Sequence, residues 1–503
     1  MRFPQFINSS GQSDVSALAP WLLGALGIVA VLLALLIGAN GTILGVAALA
    51  AVVGLPFMMA CLLSPRFGVF FVVTTSFFLM GIKRFNEELP LGLLIDFTIS
   101  VMLLGILVRQ IRERDWSFAK GPVGIMVLIW LFYNLMQAVN PNAISVMAWA
   151  YTVRGMAGIM IMFFITSYAF NSIKVIDNFF KLFFGLTVLA ALYTLWQEFF
   201  GLADFEFAWI LKEERRYHLL FQAGKFRKFS FLSDPVVLGI MLAYGAMMAF
   251  IISTGVKENW KRISLIGIGA LFVLAMLYTG TRTAYVLLII GFGFYAALSL
   301  KRIAIAAVIF TVVGGLAILR LPTVNVEHYR LKTAFSIFSG ESDDKDKSFL
   351  VRLENQKRIQ PLIQKNPIGM GLGRTGIWGK RFSPGDFLSK FPPDSGFVRI
   401  AVELGWLGLL IYFALLFVIL RTGIINYSRC KDPKLRTYYQ AALTTIFMLI
   451  IAEYPQEAIN AVPTNLIFLV LAAIVVRIPA LSKKEITNTS TPKEKSEPRY
   501  ASV

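Results

Sequence analysis

The chain has 503 residues, 57% of them hydrophobic and 15% charged, with a formal net charge of +19. Soluble domains carry roughly a quarter charged residues, so this composition excludes an ordinary soluble enzyme. Repeated apolar runs of about 20 residues, each able to cross roughly 30 Å of hydrocarbon, define a polytopic membrane protein; the two cysteines, Cys61 and Cys430, are too few for a disulfide framework.

In chain order the apolar runs predict fourteen spans, at 17–38, 42–63, 67–83, 91–109, 121–140, 144–169, 176–200, 235–254, 262–279, 283–299, 302–320, 396–420, 437–453 and 463–479. The first run is too long for a signal-peptide core and lacks a small-residue cleavage site, so it reads as the first span. Helices are expected because each backbone amide in lipid must be bonded within its own segment. The predicted fold is therefore all-α, a polytopic transmembrane helix bundle with a long, partly helical outer loop. N-terminal helices fill 1–200, a first large outer segment 201–234, central helices 235–320, the long outer loop 321–395 and C-terminal helices 396–480. The polar, Ser/Thr/Lys-rich stretch 481–503 is expected to be a disordered tail.

Lysines and arginines set the expected orientation. RQIRERDWSFAK (109–120), KENWKR (257–262), Lys301-Arg302, RTGIINYSRCKDPKLR (421–436) and the tail from Lys483 all fall on one side if every span is real. Short loops rich in positive charge stay in the cytoplasm, which predicts an N-in, C-in protein. The outer segment 201–234 nevertheless carries Lys212, Arg215, Arg216, Lys225, Arg227 and Lys228. Long loops cross regardless of charge, which is one account; a membrane-held anionic ligand on the outer face is the other.

Ionisable groups within or beside a span are functional candidates because burying them costs several kcal/mol. Arg154 lies in AWAYTVRGMAGIM, Arg282 in YTGTRTAYVLL and Asp234 in FRKFSFLSDPVVLG, while Asp394, Arg399 and Glu403 open the span that follows PPDSGFVRIAVELGWLG. Each has a plain structural reading. Arg154 can snorkel, Asp234-Pro235 and Asp394-Ser395 can cap helices, and Arg399 and Glu403 share a helix face at i,i+4. A basic, partly buried cavity at the outer boundary is the simplest common explanation of the set. In the long outer loop, 348–363 has the apolar stripe of a packing or interfacial helix, ended by the glycine-rich NPIGMGLG. Gly-rich P-loops, zinc-type clusters and HExxH are missing, and the two histidines, His218 and His328, both fall outside.

In order, FRKFSFLSDPVVLG, TGTRTAY, VRLENQ, NPIGMGLG and DSGFVRIAVELGWLGLLIY resemble the motif series of the bacterial O-antigen polymerase and O-antigen ligase superfamily, over roughly 220–415. The resemblance implies a GT-C-like inner-membrane glycosyltransferase, independent of metal and of other cofactors. Its donor would be an undecaprenyl-diphosphate-linked glycan, and its acceptor another lipid-linked glycan or the lipid A core. Membrane lipids and other polysaccharide-assembly proteins would be its remaining partners, and nucleic acid would not be one. By motif position Arg227, Arg282 and Arg352 would hold the donor diphosphate, with Arg154 joining them. Asp394 stands where ligases carry a histidine, and would act as base or orient the acceptor. Arg399, Glu403 and Asp234 would complete the substrate-binding set, and Trp378, Tyr329 or Phe382 would handle sugars.

The chemistry is compatible. A departing diphosphate develops negative charge, and guanidinium groups stay charged when buried and match phosphate oxygens two at a time. A lipid-linked glycan flippase is the rival reading, since it also needs arginines within the membrane. Paired repeats and spans broken at the midplane, which mark many transporters, are not evident in the sequence.

Overall fold

The computed structural model describes residues 54–87, 91–222, 224–300, 309, 347–391 and 395–490. The chain divides into two compact units, Met1–Leu63 and Ser64–Val503. In the first, Gly54–Leu63 (α1) is a short apolar helix. All that follows concerns the second.

Its helices are Pro65–Lys83 (α2), Leu91–Glu113 (α3), Pro122–Met136 (α4), Val146–Met156 (α5), Ile161–Ala169 (α6) and Ile173–Phe199 (α7). Asp204–Leu211 (α8), Glu214–Leu220 (α9) and the strands Phe221–Gln222 (β1) and Lys225–Phe226 (β2) come next, β1 and β2 pairing antiparallel with Phe221 opposite Phe226. Then follow Pro235–Ser253 (α10), Asn259–Thr279 (α11), Arg282–Ser299 (α12), Lys347–Lys365 (α13), Gly376–Phe382 (α14), Phe387–Lys390 (α15), Gly396–Arg429 (α16), Pro433–Ala452 (α17) and Thr464–Ser490 (α18). Among the described residues 11 helices are long and apolar enough to span a membrane, counting α5 and α6 as one. They coincide with eleven of the predicted runs. The predicted span 17–38 lies outside the described residues, as does 302–320 apart from residue 309, and of 42–63 only α1 lies within them.

Local chemistry sets the helix starts. Pro65, Pro122, Pro235 and Pro433 occupy the first turn, where the missing N–H is not needed. Asp234 caps α10 by accepting from the N–H groups of Val236 (2.8 Å) and Val237 (3.0 Å). α10 is buried nearly all round, packed on α11, α12 and α17, and forms the centre of the bundle.

The ends of the described spans gather on two faces. The segments 84–87, 137–145, 200–222, 224–234, 280–281, 366–391 and 453–463 meet on one, through contacts such as Gly396 N–H to the Glu453 carbonyl (3.0 Å) and Lys228 N–H to the Tyr278 carbonyl (3.2 Å). The short loops 114–121, 170–172, 254–258 and 430–432 lie at the other, where Lys434 pairs with Asp177 at 2.6 Å. Its basic residues include Arg109, Arg112, Arg114, Lys120, Lys257, Lys261, Arg262, Arg429, Lys431 and Arg436.

Two spans are interrupted. A 3-10 turn, Gly158–Met160, separates α5 from α6. α16 runs for 34 residues, about 51 Å at 1.5 Å each, too long for a straight crossing, and is broken at Gly405, with φ 73° and ψ 179°. The break frees carbonyls that the helix would otherwise use, and the glycine-rich loop takes them: Met370 N–H donates to the Val402 carbonyl (2.9 Å) and Gly371 N–H to the Glu403 carbonyl (3.1 Å). In return Leu407 N–H donates to the Pro367 carbonyl (3.1 Å). Gly369, at φ +84°, sits so close that a Cβ there would collide with the Glu403 carbonyl. Two of the N–H groups of GMGLG, which in isolation suit a phosphate, are thus committed to docking the loop on α16.

Candidate active site

At the loop-rich face a cavity of about 750 Å³ opens between the 209–237 segment and the 456–464 segment. Arg215, Arg216 and Arg227 line one wall, Pro235, Val236, Val237, Ile240 and Met80 supply apolar surface, and Gln456, Glu457, Asn460 and Thr464 form the opposite side.

The arginine wall is built from behind. Arg84, just past the end of α2, is buried and donates to Glu206 (3.1 Å), the Ser230 carbonyl (2.5 Å) and the Leu232 carbonyl. Its guanidinium lies 4.4 Å from the Phe229 ring centroid. Gln197 donates to the same Glu206 oxygen (2.9 Å) and accepts from Ser230 N–H (2.9 Å). Burial pulls the Arg84 guanidinium down to about 10 against the opposing pull of Glu206, so it remains charged at neutral pH. This knot fixes the loop that carries Arg227.

Arg227 itself donates from Nε to the Thr279 carbonyl (2.9 Å) and from a terminal nitrogen to Thr281 Oγ1 (3.1 Å). Thr281 Oγ1 in turn donates to the Pro235 carbonyl (2.8 Å), tying the starts of α10 and α12 to the arginine. Arg282 opens α12 one residue further on and is half-buried. Arg216 is held by Glu87 (3.0 Å) and Glu213 (3.2 Å) and stacks 4.0 Å from the Trp209 ring centroid. Lys228 and Lys225 face Glu198, at 3.3 and 3.7 Å.

On the other wall Glu457 accepts from Arg399 at 2.6 Å. Arg399 also lies 3.6 Å from Glu403, which is fully buried. Glu403 accepts from both the N–H (3.0 Å) and the hydroxyl (2.5 Å) of Thr375 in the glycine-rich loop. A continuous chain therefore links the cavity to that loop, from Glu457 through Arg399 and Glu403 to Thr375. Behind it Glu453 is buried and accepts from Ile459 N–H (2.6 Å). Burial pushes its carboxyl up to about 8, with Glu457 adding to the rise and Arg399 opposing it.

Of the residues singled out in the sequence, the structure places Arg227 and Asp234 on the cavity; Arg282 is not among the lining residues and follows Thr281, which accepts from Arg227. Asp234 serves as the α10 cap and is held by Ser233 (2.8 Å). Arg399 and Glu403 stand behind the opposite wall. Arg154 stands apart from the cavity lining, paired with Asp96 on α3. Asp394, Tyr329, His328 and the side chain of Arg352 lie outside the described residues; the Arg352 backbone falls in α13. Trp378 and Phe382 stack on Tyr151, at centroid distances of 4.5 and 5.5 Å, and do not line the cavity. The sequence reading passed over Arg84, Asp96, Glu453 and Glu457. Asp96 was open to the same rule that picks Arg154, being a lone acid in an apolar run. Glu453 and Glu457 stand in EYPQEAINAVP, a short polar interval between two spans.

Fold and site together define a multi-pass membrane protein with a charged cavity at one end of its helical bundle. Residues 267–413 match the family model for O-antigen ligase, a match that supports the O-antigen ligase/polymerase superfamily and, in general terms, a membrane glycosyltransferase of that type. The matched stretch takes in Arg282, Arg352, Asp394, Arg399 and Glu403 but begins after Arg227 and Asp234 and ends before Glu453 and Glu457. No curated protein matches the chain.

Proposed function

We propose that the protein transfers a glycan from undecaprenyl diphosphate to a hydroxyl of a second lipid-linked glycan or of the lipid A core. The loop-rich face would look to the periplasm and the basic short loops to the cytoplasm. The observation that carries the reading is the cavity wall of Arg215, Arg216 and Arg227 at one end of a hydrophobic bundle.

In this reading the arginines hold the diphosphate and stabilise the charge it gains as its bond to the anomeric carbon breaks. The acceptor oxygen attacks that carbon and gives up its proton. Asp394 is the group assigned to receive it, and burial would raise its affinity for the proton. Arg352, by its motif position, adds a further cation. The apolar side of the cavity, at Val236, Val237 and Ile240, suits the first isoprene units. The spacing of charges argues for transfer over flipping, since they gather at one face.

The test is reconstitution. Purified protein given an undecaprenyl-diphosphate oligosaccharide should release undecaprenyl diphosphate and lengthen or transfer the glycan without ATP. Arg282→Ala should abolish this at unchanged protein abundance. Failure of the wild type to release undecaprenyl diphosphate would remove the reading. In cells, a deletion leaving single-repeat glycans would indicate a polymerase, and one leaving long unattached chains a ligase.

A further inference from the structure

The two walls of the cavity differ in chemistry. The 209–237 side presents three guanidinium groups, its carboxylates being engaged, Glu213 by Arg216 and Asp234 as the α10 cap; the 456–464 side presents amides and a carboxylate. Gln456 and Asn460 are half-buried, line the cavity, and make no side-chain hydrogen bond among the described residues. Glu457 is held in place by Arg399 at 2.6 Å, with its side chain 27% exposed. A diphosphate has no use for such a wall, because carboxylates repel it and amides bind it weakly beside arginine. Sugar hydroxyls do: each is donor and acceptor at once, and a planar amide or carboxylate can accept from one hydroxyl while an amide donates to its neighbour. The stacking platform that sugars often use is committed elsewhere, since Trp209 carries Arg216 on its ring.

We infer that the 456–464 wall is the saccharide subsite of the cavity, with Gln456, Glu457 and Asn460 hydrogen-bonding hydroxyls of a lipid-linked glycan while the opposite arginines hold its diphosphate. The inference rests on the proposed diphosphate reading and assigns the sugar to a different element. The ion pair with Arg399 aims Glu457, and α17 and α18 anchor the segment at both ends, so the subsite is rigid before substrate arrives.

Binding to the full-length protein in detergent tests it with two probes, sugar-free undecaprenyl diphosphate and undecaprenyl-diphosphate oligosaccharide extracted from the source membranes. The wild type should bind the oligosaccharide form at least about ten-fold more tightly, a gap that two or three net hydrogen bonds supply. Gln456→Ala and Asn460→Ala, neither of which breaks an ion pair, should each shrink the gap to about two-fold or less while leaving undecaprenyl diphosphate affinity unchanged. Arg227→Ala should lose both ligands. If both wall variants keep the wild-type gap, or the wild type has none, the subsite is overturned and the diphosphate reading stands. If Asn460→Ala loses both ligands the wall is structural and the subsite is again overturned. Absence of undecaprenyl diphosphate binding to the wild type would sink both.

Discussion

Arg399 crosses to Glu457, 58 residues further along the chain, bringing a guanidinium nitrogen to 2.6 Å from the carboxylate. The same guanidinium lies 3.6 Å from Glu403, so one arginine compensates two carboxylates on different elements. Removing it takes the cation from the fully buried Glu403 and the Arg399 partner from the partly buried Glu457. Breaking a buried pair costs about 3–5 kcal/mol, and solvent access to Glu457 puts Arg399→Ala near the low end, about 3 kcal/mol. Arg399→Lys should recover part of this, because an ammonium keeps the charge but cannot span both acids. Denaturant or thermal unfolding in detergent would measure it, and a wild-type midpoint for Arg399→Ala would contradict the arrangement.

Glu453 gives the stability a pH dependence of known sign. Its carboxyl is raised from an ordinary 4.5 to about 8 by burial. The folded protein therefore keeps this proton over a range where the unfolded chain has lost it, and stability falls as pH climbs between those values. The total loss is on the order of a few kcal/mol, complete above the upper value. Glu453→Gln stays neutral and still accepts from Ile459 N–H, so its profile should be flatter: equal to wild type near the lower end and more stable at the upper. Melting temperatures across that range would show it, and parallel curves for the two proteins would exclude the effect.

Much of this fold could be read directly from the sequence, and the reasons mark where reading stops. Span positions follow from length and hydropathy, which are local, and the α10 start follows from Asp234-Pro235. The break in α16 does not: 396–429 is one apolar run, and Gly405 leaves the helix because a loop from 366–371 docks there. Likewise Arg399 and Glu403 are legible as an i,i+4 pair, whereas the third partner, Glu457, arrives only through folding. Arg154 and Arg227 look alike in sequence as cations near a membrane boundary. Asp96 on a neighbouring span holds one of them away from the cavity lining, and the Thr279 and Thr281 oxygens hold the other on it.

That docking makes Gly369 and Gly405 intolerant. Both have positive φ, and a Cβ at Gly405 would meet the Pro367 carbonyl as one at Gly369 would meet Glu403. Gly405→Ala should cost at least about 2 kcal/mol, since backbone strain and a main-chain clash act together. Because the Glu403–Thr375 contact sits on the same joint, protease sensitivity within 366–391 should rise in parallel. Unchanged cleavage would show the joint to be dispensable.

Arg227 separates charge from geometry. Two of its nitrogens are fixed by Thr279 and Thr281, which leaves the fork preoriented. Under the proposed function Arg227→Lys keeps the cation but loses that orientation, and the transfer rate should fall about 100-fold, with Arg227→Ala lower still. Thr281→Val deletes the Arg227 acceptor together with the donor to the Pro235 carbonyl, and should still cost only about ten-fold, less than loss of the fork itself. Initial rates of undecaprenyl diphosphate release would rank the three. A Lys variant as active as wild type would mean that the site needs only a charge.

The Arg84–Glu206 pair is the strongest test of how the arginine wall is supported. Both side chains are almost fully buried, 2% and 0% exposed, and Arg84 additionally satisfies two carbonyls of the 230–232 turn. Arg84→Met leaves a buried acid without its cation and two carbonyls without this donor, so it should cost about 3–5 kcal/mol. Glu206→Gln keeps one oxygen for Arg84 and Gln197 but turns its amide nitrogen toward the Ala203 N–H; it strands no acid and should cost less than Arg84→Met. Adding Glu206→Leu to Arg84→Met removes the orphaned charge, so the double variant should be more stable than Arg84→Met alone, as apolar replacement of buried pairs often is. Unfolding midpoints of the three variants decide it: if the double variant is the least stable, the acid is not stranded by loss of Arg84, and the support for Arg227 must come from elsewhere in the 201–234 segment.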